Sequence, residues 1–180
     1  MTDWALLERA RRGHGDAWTE LVSAHATRVR AMAVLISGSR AAAEDILQES
    51  FVRLFSFTPR HQEGTVAGWL GTIVWRLALN ERERTQKLCA LESFEFQDEA
   101  ALPIAGLMED ENLRAVAAAI AQLPAEQRDC LVLRFYGEHS YAEIAELTNV
   151  PIGTIKSRMF HAVKNCREKL RMEGVLDACI

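Results

Sequence analysis

The chain has 180 residues, with 21 basic and 25 acidic side chains and a net charge of -4 at neutral pH. That length suits one ordinary domain or two small ones with buried cores. No apolar run approaches a membrane span and the N-terminal stretch MTDWALLERARRGHG lacks a signal-peptide core, so membrane insertion and export are not expected and a cytoplasmic location is.

The charge is unevenly placed. Residues 91–125 hold one basic and seven acidic side chains, whereas residues 1–90 hold 12 and 10 and residues 126–180 hold eight and eight. An overall acidity that argues against a nucleic-acid partner thus resolves into two near-neutral modules flanking an acidic connector.

The first module reads as helical throughout. Asp16 is placed to cap a helix in which Trp18, Leu21, Val22, His25, Val29, Met32, Ala33 and Ile36 recur at helical spacing, and Gly38 ends it. A second helix starts near Ser39 and contains AAAEDILQESFVRLF. Its expected buried stripe is Ile46, Leu47, Phe51, Leu54 and Phe55. Asp45, Gln48, Glu49 and Val52 share the other side, which reads either as a solvated face or as a docking surface for a basic partner. Ser56 to Gly64, SFTPRHQEG, has loop composition.

A third helix covers TVAGWLGTIVWRLALNERERTQK, with Val66, Leu70, Ile73, Val74 and Leu77 toward the core. Trp69, Trp75, Arg76, Asn80, Arg82, Arg84 and Lys87 are left for other surfaces. Interleaved rings and cations are what single-stranded nucleic acid needs, the rings to stack bases and the charges to hold phosphates; two Trp on a helix are also ordinary packing residues. From about Cys89 to Asp110 periodicity fails, and LESFEFQDEAALPIAGLMED reads as a linker.

The second module opens with Leu113, Val116, Ala117, Ile120 and Leu123 on one helical face. Pro124 starts a further helix that Gly137 ends. In SYAEIAELTNVPIGTIKSRMFHAVKNCREKLR, Ser140 and Glu143 form a capping box, and Tyr141, Ile144, Ala145 and Leu147 give the short helix an apolar side. Asn149 suits the left-handed end of that helix and Pro151 the start of the next. On the following helix Ile155, Met159, Ala162, Val163, Cys166 and Leu170 fall on one face. Gly153, Lys156, Ser157, Phe160, His161, Lys164 and Arg167 occupy the other. Such a helix-turn-helix presents the start of its second helix to base edges. Lys can donate to guanine acceptors, Ser to several bases, and Phe can pack on a thymine methyl. Lys156, Arg158, Lys164, Arg167, Lys169 and Arg171 against Glu168 alone suit phosphate neutralisation.

The four cysteines, Cys89, Cys130, Cys166 and Cys179, form no C-x-x-C pair, and His14, His25, His61, His139 and His161 have no ligand spacing. No metal, cofactor or disulfide framework is expected. No nucleophile–base pair or phosphate loop points to an enzyme.

LPAEQRDCLVLRFYGEHSYAEIAELTNVPIGTIKSRMFHAVKNCREKLR resembles region four of bacterial RNA polymerase sigma factors, AAAEDILQESFVRLF resembles region two, and WLGTIVWRLALNERER resembles the helix that ends region two. With only a short linker between them, the whole is similar to the extracytoplasmic-function (ECF) class. The resemblance implies an all-α fold of two small helical domains, region two over 1–90 and region four over 111–180, joined by a flexible acidic linker over 91–110. It implies a non-enzymatic specificity factor that binds core RNA polymerase and directs it to promoters.

Carried over by position, Lys156, Ser157, Phe160 and His161 meet bases of the upstream (minus-thirty-five) duplex, and Arg158 meets backbone or base. The loop Phe57 to Gly64, with Arg60 and His61, captures bases of the melted downstream (minus-ten) non-template strand. Trp69, Arg76, Asn80 and Arg84 lie along the strand-binding helix. Asp45, Gln48 and Glu49 face the basic coiled coil of the largest polymerase subunit. An anti-sigma protein, often membrane-anchored, is the implied inhibitor, with no membrane insertion by this chain.

Two departures bear on promoter sequence. Val74, Trp75 and Arg76 stand where the family often has A-R-N, and His161 stands where it often has Arg. The competing expectations are a helix-turn-helix regulator binding an operator as a dimer, and a sigma-like mimic that titrates the inhibitor. The first should carry a dimerisation helix or ligand pocket, and the second should lack the basic and aromatic DNA-facing residues that this chain keeps.

Overall fold

The computed structural model describes residues 2–57, 64–92 and 111–175, which form eight helices and no strand. Four make the first unit: α1 (Asp3–Arg11), α2 (Gly15–Ser37), α3 (Arg40–Ser56) and α4 (Val66–Glu92). Their ends follow local chemistry. The Thr2 hydroxyl accepts from the Ala5 amide at 3.3 Å to cap α1, and the Ser39 hydroxyl accepts from Ala42 at 3.2 Å to cap α3. Gly38, left-handed at φ 74°, closes α2 as its position requires. The α1 helix lies ahead of the first helix expected from periodicity. Asp16 is not the cap of α2; it sits in the first turn, where the N-terminal dipole favours a carboxylate and Arg9 pairs with it at 3.1 Å.

The expected stripe of α2 is the centre of this unit. Leu21, His25, Val29, Met32, Ala33 and Ile36 are all buried, against α1, α3 and α4. His25 is held as a polar core residue. Arg28 can only donate, so it donates to His25 Nδ1 at 3.0 Å, and the other ring nitrogen donates to Asp3 at 2.9 Å. On α3, Ile46, Phe51 and Leu54 are buried as expected, but Phe55 is 44 % exposed and lies edge-on to Trp18. Ser50 takes the buried place instead, its hydroxyl donating to the Ile46 carbonyl at 2.6 Å. Trp75 also departs from expectation: it is buried, not surface-facing.

The second unit comprises α5 (Glu111–Ala121), α6 (Ala125–Phe135), α7 (Tyr141–Thr148) and α8 (Ile152–Met172). The capping box of α7 is present in both halves. Ser140 Oγ accepts from the Glu143 amide at 3.2 Å, and the Glu143 carboxylate accepts from the Ser140 amide at 2.7 Å. Those bonds hold the Glu143 carboxyl below its usual range. Asn149 is left-handed at φ 54°, and α8 starts directly after Pro151. Ile144, Ile155, Met159, Ala162, Cys166 and Leu170 close this core. Leu113 and Val163, expected on buried faces, are exposed. They lie at the edges of those stripes, where no neighbouring helix covers them among the described residues.

The two units pack together. Arg82 of α4 makes a two-pronged pair with Asp129 of α6, at 2.9 and 2.8 Å, and both side chains are largely buried. The same guanidinium reaches the Ile36 carbonyl at 3.5 Å. Arg28 pairs with Glu138, the left-handed residue after α6 at φ 57°. Gly137 follows the end of α6, as expected, and also serves close approach: a Cβ on Gly71 would lie 2.7 Å from Gly137 Cα. Buried His139 fills the seam. Thr72 Oγ1 and His139 Nε2 lie 2.9 Å apart, and His139 Nδ1 lies 3.3 Å from the Leu133 carbonyl.

Candidate nucleic-acid interface

An α-helix turns about 100° per residue, so Trp69, Ile73, Arg76, Asn80 and Arg84 fall on one side of α4. Arg76, Asn80 and Arg84 are exposed and Trp69 is half-buried, packed on Phe57 with ring centroids 4.9 Å apart. Arg84 keeps an exposed guanidinium while bonding to Glu81 at 2.9 Å. Gly71, Trp75, Ala78 and Arg82 lie on roughly the opposite side, which faces the second unit. One helix thus separates docking from a ring-and-cation stripe, and the docked arrangement leaves the stripe open. Arg60 and His61 lie outside the described residues; of the expected linker, 91–110, the first two residues continue α4 to Glu92 and the rest lie outside the described residues.

On α8, Lys156, Ser157, Phe160, His161, Lys164 and Arg167 are exposed together. Phe160 is 67 % exposed, a large ring that no core contact accounts for, and it lies edge-on to His161 at 5.5 Å. Ile155, Met159 and Ala162 fix the opposite side of the same turns, so the polar face is held rigidly. Arg158 differs from its neighbours. It is half-buried and donates to Glu126 at 2.6 Å, at the N-terminal end of α6. Lys169 is likewise drawn inward, to Gln122 at 2.7 Å.

Asp45, Gln48, Glu49 and Val52 form an exposed strip on α3, as their spacing implied. Glu49 accepts from Arg53 at 2.7 Å, a pair with both partners half in solvent and worth a few tenths of a kcal/mol, roughly. Sequence periodicity missed one further surface. An apolar groove runs between α5, α6 and α8, lined by Val116, Ile120, Phe135, Tyr136, Val163 and Leu170. The signal for it was available in Phe135, an apolar residue that none of the expected stripes uses and that is 61 % exposed.

The family model for Sigma-70 region 2 matches residues 21–88 and that for Sigma-70 region 4 matches residues 113–166. The ECF RNA polymerase sigma factor RpoE of Cereibacter sphaeroides is 31 % identical over 177 residues, covering 94 % of this chain and 96 % of the relative. The chain belongs to the ECF RNA polymerase sigma factors. Another ECF sigma factor, SigE of Mycolicibacterium smegmatis, is 34 % identical over 160 residues, and the match spans 86 % of this chain but 62 % of that protein. Among solved structures, sigma factor RpoE of Bartonella quintana, determined in complex with the anti-sigma factor NepR, shares the fold at a TM-score of 0.66 and 23 % identity. That match covers 86 % of this chain and 96 % of the other. CnrH, determined with the cytosolic domain of CnrY, gives 0.56 and 20 % over 99 % of both chains. In sigma-factor terms the α4 stripe belongs to the region two match, and the exposed face of α8 up to Cys166 belongs to the region four match. The α1 helix precedes both. No helix among the described residues is long and apolar enough to cross a membrane.

Proposed function

We propose that this ECF sigma factor uses two separate DNA surfaces and a third for polymerase. The upstream duplex is read by Lys156, Ser157, Phe160 and His161 on α8. The melted downstream strand is held along Trp69, Arg76, Asn80 and Arg84, with Arg60 and His61 in the preceding loop. Core polymerase is met by Asp45, Gln48 and Glu49. The observation that carries this reading is the pairing, in one chain of this family, of an open ring-and-cation stripe with a rigid, exposed recognition face. Arg158, tied to Glu126, acts as a phosphate or base contact only after exchanging that partner. The domain limits proposed are 1–90 and 111–180. The protein works in the cytoplasm as a non-enzymatic initiation factor.

Control by an anti-sigma factor is part of the proposal, supported by the partners of the two structural relatives. The apolar groove of α5, α6 and α8 offers a partner helix a seat, as amphipathic helices use such grooves. The test is reconstitution: the purified chain mixed with sigma-free core polymerase should co-elute and initiate at promoters that core alone ignores. A folded chain that neither co-elutes nor initiates overturns the reading.

Lys156→Ala should weaken binding to the upstream duplex by ~1–3 kcal/mol and relax preference at one base position. A holoenzyme titration against duplexes varied base by base measures this. A uniform loss across all sequences would instead make Lys156 a phosphate contact.

A further inference from the structure

The first helix of the chain performs a task that neither family match covers, since α1 ends before residue 21. Arg11, in its last turn, sends its guanidinium across to the end of α3. It donates to the carbonyl of Phe55 at 2.9 Å, to that of Leu54 at 3.0 Å, and to that of Phe57. The last carbonyls of a helix have no partner within it, and a cation is favoured there. Arg11 therefore caps α3 from 44 residues away. Trp4, in the first turn of α1, donates its indole N–H to the Gly64 carbonyl at 3.0 Å. Its ring also packs on Phe57, with centroids 6.3 Å apart, and Phe57 in turn packs on Trp69.

Phe57 and Gly64 are the last described residue after α3 and the first before α4. Two side chains of one short helix thus fix both. Through Phe57 they also fix the ring of Trp69, which heads the stripe of Arg76, Asn80 and Arg84. We infer that Trp4 and Arg11 are positioning residues for downstream-strand recognition, setting the Phe57–Trp69 ring pair at the head of the α4 stripe. Stacking against a ring depends on where its plane is held, so a displaced pair loses base contacts even when the charges remain. The inference rests on the proposal that this stripe binds the melted strand.

The experiment compares holoenzymes carrying Trp4→Phe, which keeps a ring and removes the N–H, Arg11→Gln, and Arg76→Ala as a direct-contact reference. Each is titrated with a single-stranded oligonucleotide of the downstream element and, separately, with the upstream duplex. Trp4→Phe and Arg11→Gln should each lose about tenfold in strand affinity, the scale of one misplaced stacked base. Upstream-duplex and core-polymerase affinities should stay at the parental level. Unchanged strand affinity in both, with Arg76→Ala impaired, overturns the positioning role alone. Unchanged strand affinity in all three overturns the strand-binding reading and this inference with it. Parallel loss of strand, duplex and core binding shows a purely structural role and also overturns it.

Discussion

Asp45→Arg combined with Glu49→Arg should abolish co-elution with core polymerase while the protein stays folded. Both side chains are exposed on α3, on the side away from Ile46, Phe51 and Leu54, so no buried contact is lost. Surface changes of this kind usually move stability by only about 0.5 kcal/mol. The one local cost is the Glu49–Arg53 pair, which becomes a like-charge contact one turn apart and subtracts a few tenths of a kcal/mol, roughly. Against a basic partner, two reversals change the local charge by four units. Like-charge juxtaposition across an interface costs several kcal/mol. Size exclusion with core enzyme, alongside a thermal melt, separates the two effects. Normal co-elution of the folded double variant would remove α3 from the polymerase interface.

The second large effect is expected at the seam between the two units. Asp129 is largely buried beside two guanidiniums: Arg82 holds it in a two-pronged pair, and Arg128 is its neighbour in sequence. Burial pushes Arg128 below the usual arginine range, with Arg82 adding to the shift and Asp129 opposing it. Asp129→Ala removes the anion and leaves the Arg82 guanidinium in the seam without its partner. Removing one partner of a buried pair costs roughly 3–5 kcal/mol. Because Arg82 can reach water by parting the units, the expected result is undocking, seen as a larger radius of gyration in solution scattering. Arg82→Met with Asp129→Leu replaces the pair by apolar volume and should stay docked. Unchanged scattering from Asp129→Ala would show that the pair does not hold the units.

Acid should act on the same seam. Burial holds His139 below the usual imidazole range, so the docked form binds the ring neutral. A group depressed in this way supports the folded arrangement fully above its ordinary value near 6.5 and loses that support as pH falls through the lowered value. Docking should therefore weaken on acidification below about pH 6.5. His139→Gln should flatten that dependence in the same scattering measurement.

Much of the fold was legible because the relevant signals are local. The capping box at Ser140 and Glu143, the left-handed Asn149 and the 3.6-residue stripe of α8 each depend on residues a few positions apart, and the structure forms all of them. What was not legible depends on partners far along the chain. Trp75 and Arg82 looked like surface residues of α4 because nothing near them in sequence announces otherwise, yet Trp75 is buried and Arg82 is paired with Asp129, 47 residues later. Arg158 looked like one more cation of the recognition helix until Glu126, 32 residues earlier, was seen to hold it. The α1 helix is only nine residues long, so its buried side of Trp4, Leu6, Leu7 and Ala10 is too brief to announce a period, and its Trp4 and Arg11 bond to carbonyls far along the chain at positions 54–64.

The docking of the two units also sets a reach. A compact chain of this length has a radius of gyration of about 16 Å and is therefore about 40 Å across. Promoter elements centred near minus thirty-five and minus ten are about 25 base pairs apart, which at about 3.4 Å each is about 85 Å of straight duplex. Under the proposed assignment of the two DNA surfaces, the docked form is shorter than that separation and would hold one element at a time. Eighteen residues, the number from 93 to 110, reach at most about 65 Å, enough with the units themselves to bridge the two. On the same proposed assignment, holding both elements at once would therefore part the units and open the Arg82–Asp129 pair.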